Sequence, residues 1–231
     1  KVEMVIVDDD VALPNLPQAR GVAGTLFVHK VAGALAGQGV DLEAVAQAAR
    51  EVVDGVISIG MSLDTCTVPG SPKEDRIPLG KAELGLGIHG EAGVEQVDFS
   101  DAAHAMAMVV ERLLPHVKSG PYVALVNDLG ATTPLEMAVL TRELTQSRLK
   151  DRIQWIVGPA SMMTSLDMHG FSVSLLPVTA ERKAALTAPV APIAWPGCIG
   201  IQGIKVRPLP DGLSPILPIP SRHEGNRIFL E

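Results

Sequence analysis

The sequence is poor in aromatic residues: one Tyr, two Trp and four Phe make up 3% of 231 positions. A single-strand nucleic-acid binder built on stacking platforms needs more, so the core must come from Ala, Val, Ile, Leu and Met. Positive charge is also short. Nineteen Lys and Arg face 26 Asp and Glu, for a net charge of −7. That balance argues against sequence-independent nucleic-acid binding and against adhesion to an acidic membrane surface. Two cysteines, Cys66 and Cys198, are too few for a disulfide scaffold, and no Cys/His cluster has zinc-ligand spacing. There is no signal-peptide pattern and no apolar run long enough to span a bilayer. What remains is 47% hydrophobic and 19% charged residues. This allows a sizeable core in one large domain or two small ones, and the default expectation is a soluble cytoplasmic globular protein.

Residues 2–7 form an apolar β-rich run that suits a strand buried on both faces. The chain starts at Lys1 and enters this run with no slack, which is read as a position inside a larger protein. Pro14 and Pro17 mark a connection. Residues 20–39 then carry Val22, Leu26, Val31 and Leu35 at helical spacing, and Asp41 is the expected cap of a second helix. Strands are expected at 57–63, 83–88, 122–126, 153–157 (stopped by Gly158-Pro159) and 171–176. Helices are expected at 101–116, capped by Ser100 or Asp101, from Pro134 to about Leu149, and at 180–186. The alternation implies an α/β fold with mixed or parallel sheets flanked by helices. Residues 1–196 are assigned to it, with a division into two subdomains near 60–80 left open. Residues 197–231 hold Pro208, Pro210, Pro215, Pro218 and Pro220 and read as an extended linker or arm.

The residue with most chemical promise is His89. It follows a short strand and is flanked by Gly87 and Gly90. Ligands of α/β sheets collect at strand ends, glycines let a backbone approach a ligand, and a neutral imidazole serves as base, ligand or nucleophile. Glu91 is near enough to orient the ring. A simple loop hydrogen bond accounts for the histidine equally well on residue type alone. Gly85, Gly87 and Gly90 match G-x-G-x-x-G, but a dinucleotide fingerprint needs a helix directly after it, and residues 92–97 lack helical periodicity.

Asp8, Asp9 and Asp10 offer carboxylates for Mg²⁺ or a polyol, although neighbours in an extended segment point opposite ways and at most two converge. A solvated strand end with a capping role is the alternative. His29 reads as core packing, and His104 and His116 as surface residues. The Cys66–Gly70 stretch offers a hydroxyl and a turn, or merely a buried thiol. Residues 127–132 have the position of a ligand-side loop, with Thr132 or Thr133 as the alternative helix cap. Residues 164–168 suit a loop held by Asx-type bonds.

Several blocks together resemble one family. They are Asp8-Asp9-Asp10-Val11-Ala12, Arg20-Gly21-Val22-Ala23-Gly24-Thr25, His29-Lys30-Val31-Ala32-Gly33-Ala34, Cys66-Thr67-Val68-Pro69-Gly70, Gly85-Leu86-Gly87-Ile88-His89-Gly90-Glu91, Asn127-Asp128-Leu129-Gly130 and Thr164-Ser165-Leu166-Asp167-Met168. In this order they resemble the substrate-binding domain of the dihydroxyacetone kinase family, over roughly residues 2–195. The resemblance implies that His89 forms a covalent hemiaminal with the ketose carbonyl, that Gly87 and Gly90 shape the pocket, and that Glu91 orients the ring. It also implies a homodimer, while the net negative charge leaves neither nucleic acid nor membrane as an expected partner.

The departures matter too. The family's domain has an upstream Gly-rich segment ending in His-Glu-Pro and an Asn-Tyr-Thr-Gly-Asp motif, which supply a second histidine and the aspartate thought to act as general base. Neither motif is in these 231 residues. The family's phosphoryl donor is ATP with Mg²⁺ on a separate helical domain, or a phosphorylated partner subunit, so no cofactor or metal is expected on this chain. The Pro-rich arm looks like the linker of the single-chain, ATP-using type. The resemblance therefore implies part of a ketose kinase, inactive alone. Dihydroxyacetone is the leading substrate, and glyceraldehyde or erythrulose are near relatives. A non-catalytic ketose-binding co-regulator and a flavin-nucleotide cyclase are the rival functions.

Overall fold

The computed structural model describes residues 1–12, 20–85 and 93–202, and residues 1–201 form one compact unit. Along the chain come α1 (Thr25–Gly37), α2 (Leu42–Val53), β1 (Ile57–Ser62), β2 (Lys81–Leu84), β3 (Glu95–Asp98) and α3 (Ala102–Leu113). A 3-10 turn (Leu114–His116), β4 (Tyr122–Asp128), α4 (Pro134–Gln146), β5 (Ile153–Ala160), β6 (Gly170–Pro177), α5 (Ala180–Thr187) and β7 (Cys198–Gly200) follow. The seven strands form one sheet in the order β3-β2-β1-β6-β4-β5-β7. β4 and β5 are parallel. β6 lies antiparallel between β1 and β4, so β1, β4 and β5 all run the same way. The expected α/β class with a mixed sheet is what the chain adopts. β1 and β2, on either side of residues 60–80, belong to the same sheet.

Pleating explains the two cores. Along β4, Tyr122, Ala124 and Val126 point to one face and pack with α3 and α4 residues such as Met106, Val109 and Leu140. Val123 and Leu125 point to the other and pack with Phe27, Val31, Val52 and Leu186 of α1, α2 and α5. All seven residues of β4 are buried, which is why its first five, Tyr122 to Val126, form a continuous apolar run before Asn127 and Asp128. Helix starts follow capping chemistry. Asp41 accepts from Ala44 N–H, Asp101 from His104 N–H and Thr179 from Arg182 N–H. Thr133 and Glu136 form a reciprocal capping box behind Pro134.

The structure departs from the sequence reading in specific places. Residues 2–7 are extended but join no strand. Val2, Met4 and Ile6 are 89%, 78% and 68% exposed, and only Val5 and Val7 pack inward. The segment meets the sheet through a single parallel bridge, Asp10 to Ser58. α1 begins at Thr25 rather than near Arg20, because Val22 N–H and Gly24 N–H are taken by the Asp9 carboxylate. His29 is exposed, and its neighbour Lys30 is buried along with Phe27, Val28 and Val31 of α1. The Lys30 ammonium donates to the carbonyls of Ala185 and Ala188 at 2.7 and 2.8 Å, and burial lowers its pKa from the usual 10.5. β5 continues through Gly158-Pro159 to Ala160. β7, placed in the arm by the sequence, pairs with β5. Pro14, Pro17, residues 86–88 and the prolines of 208–220 lie outside the described residues. Among the described residues, no helix is long and apolar enough to cross a membrane.

Candidate functional site

His89, Gly87, Gly90 and Glu91 fall in 86–92, outside the described residues. The residues on both sides of that segment are described, and they define where it starts and ends. β1 shares its second edge between two partners. Near its start the extended segment at Asp9–Val11 bonds to Ser58. Further along, β2 pairs with Met61 and Ser62, and Gly85 N–H donates to Gly60 O at 2.7 Å. Gly85 therefore sits at the seam. Its φ is +70°, and a Cβ there would lie 2.3 Å from the Ala12 Cβ, so only glycine fits.

The Arg20 guanidinium bridges this seam. Its Nε donates to Asp10 Oδ2 at 2.6 Å and its Nη2 to the Gly85 carbonyl at 2.6 Å. On the returning side, β3 pairs antiparallel with β2, and Val94 N–H donates to Leu84 O. Glu83, buried in β2, takes the Gly93 N–H at 2.9 Å and a two-pronged contact from Arg76 at 3.1 and 3.0 Å. A Cβ on Gly93 would lie 2.7 Å from the Glu83 Cβ. Arg20, Glu83 and Arg76 were not singled out in the sequence. The only local signal was a lone acid in a short apolar strand just before the glycine-rich run.

The aspartate run is structural where it is buried. Asp8 is exposed. Asp9 is 2% exposed and accepts from Val22 N–H at 2.7 Å and Gly24 N–H at 2.9 Å, ahead of α1. Burial pushes its pKa above the usual 3.8, although these bonds and one from Ser58 oppose the rise. Asp10 is held by Arg20 and by its own Asx-type bond to Ala12 N–H. With their oxygens committed in this way, Asp9 and Asp10 do not present a carboxylate pair to Mg²⁺. Among the described residues, no group of three or more His, Cys, Asp or Glu has metal-binding geometry.

The loops at the ends of β1, β4 and β5 hold one another together. Asn127 Oδ1 accepts from Met162 N–H and Met163 N–H, and its amide donates to Met163 O. Asp128 Oδ1 accepts from Gly130 N–H and Thr132 N–H. Thr132 Oγ1 donates to Gly170 O at 2.6 Å and accepts from Gly170 N–H at 2.9 Å, while Thr133 caps α4. Lys73 bridges Asp64 (2.6 Å) and Asp167 (3.0 Å) and draws the Asp167 pKa below 3.8. Asp167 itself has φ +61°. Cys66 packs as a buried thiol against Leu129 and Met168. The suspected ligand-side loop and the Cys66–Gly70 turn thus turn their polar groups on each other. A cavity of about 330 Å³ lies beside them, lined by Leu63, Phe99, Leu135, Val139 and Phe171, with the His169–Glu136 pair as its polar part. That lining is too apolar for a small polyhydroxylated ligand.

Comparison with known proteins identifies the family. The dihydroxyacetone kinase of Citrobacter freundii is 40% identical over 199 residues, which is 84% of this chain and 36% of the relative. The dihydroxyacetone-binding subunit of a PTS-dependent dihydroxyacetone kinase from Listeria innocua is 36% identical over 211 residues, 84% of this chain and 62% of the subunit. The chain thus spans little more than a third of the first relative and under two thirds of the second. The crystal structure of the C. freundii kinase with AMP-PNP and Mg²⁺ superposes with a TM-score of 0.86 at 36% identity, covering 96% of this chain and 42% of that one. The Dak1 domain model matches residues 1–194, and the chain belongs to the Dak1 domain family.

Proposed function

We propose that the chain is the ketose-binding part of a dihydroxyacetone-type kinase. The observation that carries this is the match of 84% of the chain to a subunit whose own name assigns it dihydroxyacetone binding. His89 is the covalent anchor. One nitrogen of the neutral imidazole adds its lone pair to the ketone carbon, and a C–N bond forms as the carbonyl π bond breaks. The proton leaving the other ring nitrogen passes to the carbonyl oxygen, giving a neutral hemiaminal. The adduct fixes the substrate with one hydroxyl presented for phosphorylation. It also selects ketones and short aldehydes over glycerol, which has no carbonyl to react. Gly87 and Gly90 leave room for the ketose, and Glu91 orients the imidazole. Dihydroxyacetone is the leading substrate and erythrulose a close alternative.

Catalysis requires parts of the protein outside these 231 residues. ATP and Mg²⁺ sit on a separate helical domain reached through the Pro-rich arm, and a general base for the substrate hydroxyl comes from the family's upstream segment. The whole enzyme is a cytoplasmic homodimer. The full-length protein is expected to phosphorylate dihydroxyacetone with Mg·ATP and to leave glycerol untouched. His89→Ala should reduce kcat/KM by at least about 100-fold. Equal turnover of glycerol, or an undiminished rate in His89→Ala, would contradict the reading.

A further inference from the structure

The β2–β3 connection that carries His89 is fixed at both ends by arginine–carboxylate pairs of opposite use. Where it leaves β2, a cation holds a carbonyl: Arg20 Nη2 donates to Gly85 O at 2.6 Å while its Nε is locked on Asp10. Where it rejoins β3, an anion holds an amide: Glu83 Oε2 accepts from Gly93 N–H at 2.9 Å while both its oxygens are gripped by Arg76. Both clamps are well shielded. The side chains of Asp10 and Glu83 are 1% and 7% exposed, those of Arg20 and Arg76 17% and 24%. Charge-assisted bonds in such surroundings are short and directional, and a guanidinium fork fixes orientation as well as distance. Gly85 and Gly93 leave no space for a side chain that would shift either contact.

We infer that Arg20 and Glu83 are positioning residues for His89. Their contacts are with Gly85 O and Gly93 N–H, the main-chain groups on either side of the segment that holds His89. This rests on the reading of His89 as the covalent anchor. Nucleophilic addition is sensitive to placement, and a misplacement of about 1 Å costs on the order of 100-fold. Two clamps on the main chain of the flanking residues are the kind of support that such a nucleophile needs.

The test uses the full-length protein with dihydroxyacetone as probe, titrated by native mass spectrometry well below each variant's melting temperature. Arg20→Lys keeps the charge opposite Asp10 but loses the planar fork whose separate Nε and Nη2 donors serve Asp10 and the Gly85 carbonyl. Glu83→Ala frees the Gly93 amide and removes the carboxylate that Arg76 grips, so it keeps the question answerable if Arg20→Lys fails to fold. Both are expected to weaken adduct formation by about 10- to 100-fold. Thr133→Ala, which removes a distant helix cap, should lower the melting temperature and leave the adduct unchanged. Wild-type adduct affinity in Arg20→Lys and Glu83→Ala overturns the positioning role alone, provided His89→Ala abolishes the adduct. An adduct that persists in His89→Ala overturns the functional reading and this inference with it.

Discussion

Gly24 shows how tightly single residues are specified here. A Cβ at this position would lie 2.3 Å from Asp9 Oδ2 and 2.7 Å from Val56 Cγ2. Gly24→Ala must therefore push the Asp9 carboxylate off the start of α1. A loss of about 1–3 kcal/mol is expected, read as a lower midpoint in urea unfolding, and an unchanged midpoint would contradict the packing described. The same spot shows what a sequence hides at this scale. His29 and Lys30 are neighbours in an apolar helix, and hydrophobicity alone favours burying the histidine. The outcome is reversed because two carbonyls at the end of α5, those of Ala185 and Ala188, need a donor that can reach them. That need arises 155 residues away and leaves no local trace.

At the scale of elements, capping residues were the most legible signals. Asp41 caps α2 as expected, and of the alternatives Ser100 or Asp101 and Thr132 or Thr133 the caps are Asp101 and Thr133. The capping box of α4 makes a pH-dependent prediction. The hydroxyl and amide of Thr133, with a further contribution from His169, hold the Glu136 carboxyl below its ordinary 4.5. The folded state thus binds fewer protons than the unfolded state between the two values. The stabilisation is present above about 4.5 and is lost as pH falls through the lower, native value. Glu136 is half exposed, so screening limits the effect to a few tenths of a kcal/mol up to about 1. Melting temperatures of wild type and Glu136→Gln should differ at neutral pH and converge in acid; a gap that persists in acid would contradict this assignment. Strands were less legible. β3, with Glu95, Gln96 and Asp98, carries no apolar alternation, because it is an edge strand with three of its four residues exposed. Residues 2–7 carry the strand signal but no neighbouring backbone pairs with them among the described residues, since β-propensity reports a surface to be packed and not a partner.

For the whole molecule, the α/β class followed from the alternation of elements, and the sheet order did not. The placement of β6 between β1 and β4 depends on non-local pairing that periodicity cannot see. The site divides in the same way. His89 stood out because a histidine between glycines after a strand is locally conspicuous. Arg20 did not, because its contact with Gly85 spans 65 residues and an arginine beside a glycine is unremarkable until the chain folds. Asp9, Asp10, Asn127, Asp128 and Thr132 looked chemical in the sequence and act as braces, since short polar side chains that satisfy buried backbone resemble those that bind ligands.

The central claim is that His89 binds a ketose covalently. Native mass spectrometry of the full-length protein with dihydroxyacetone tests it most directly. The account predicts a mass increase of one intact ketose per chain, absent with glycerol and absent in His89→Ala. An adduct that survives in His89→Ala, or no adduct in the folded wild-type protein at saturating dihydroxyacetone, would contradict it.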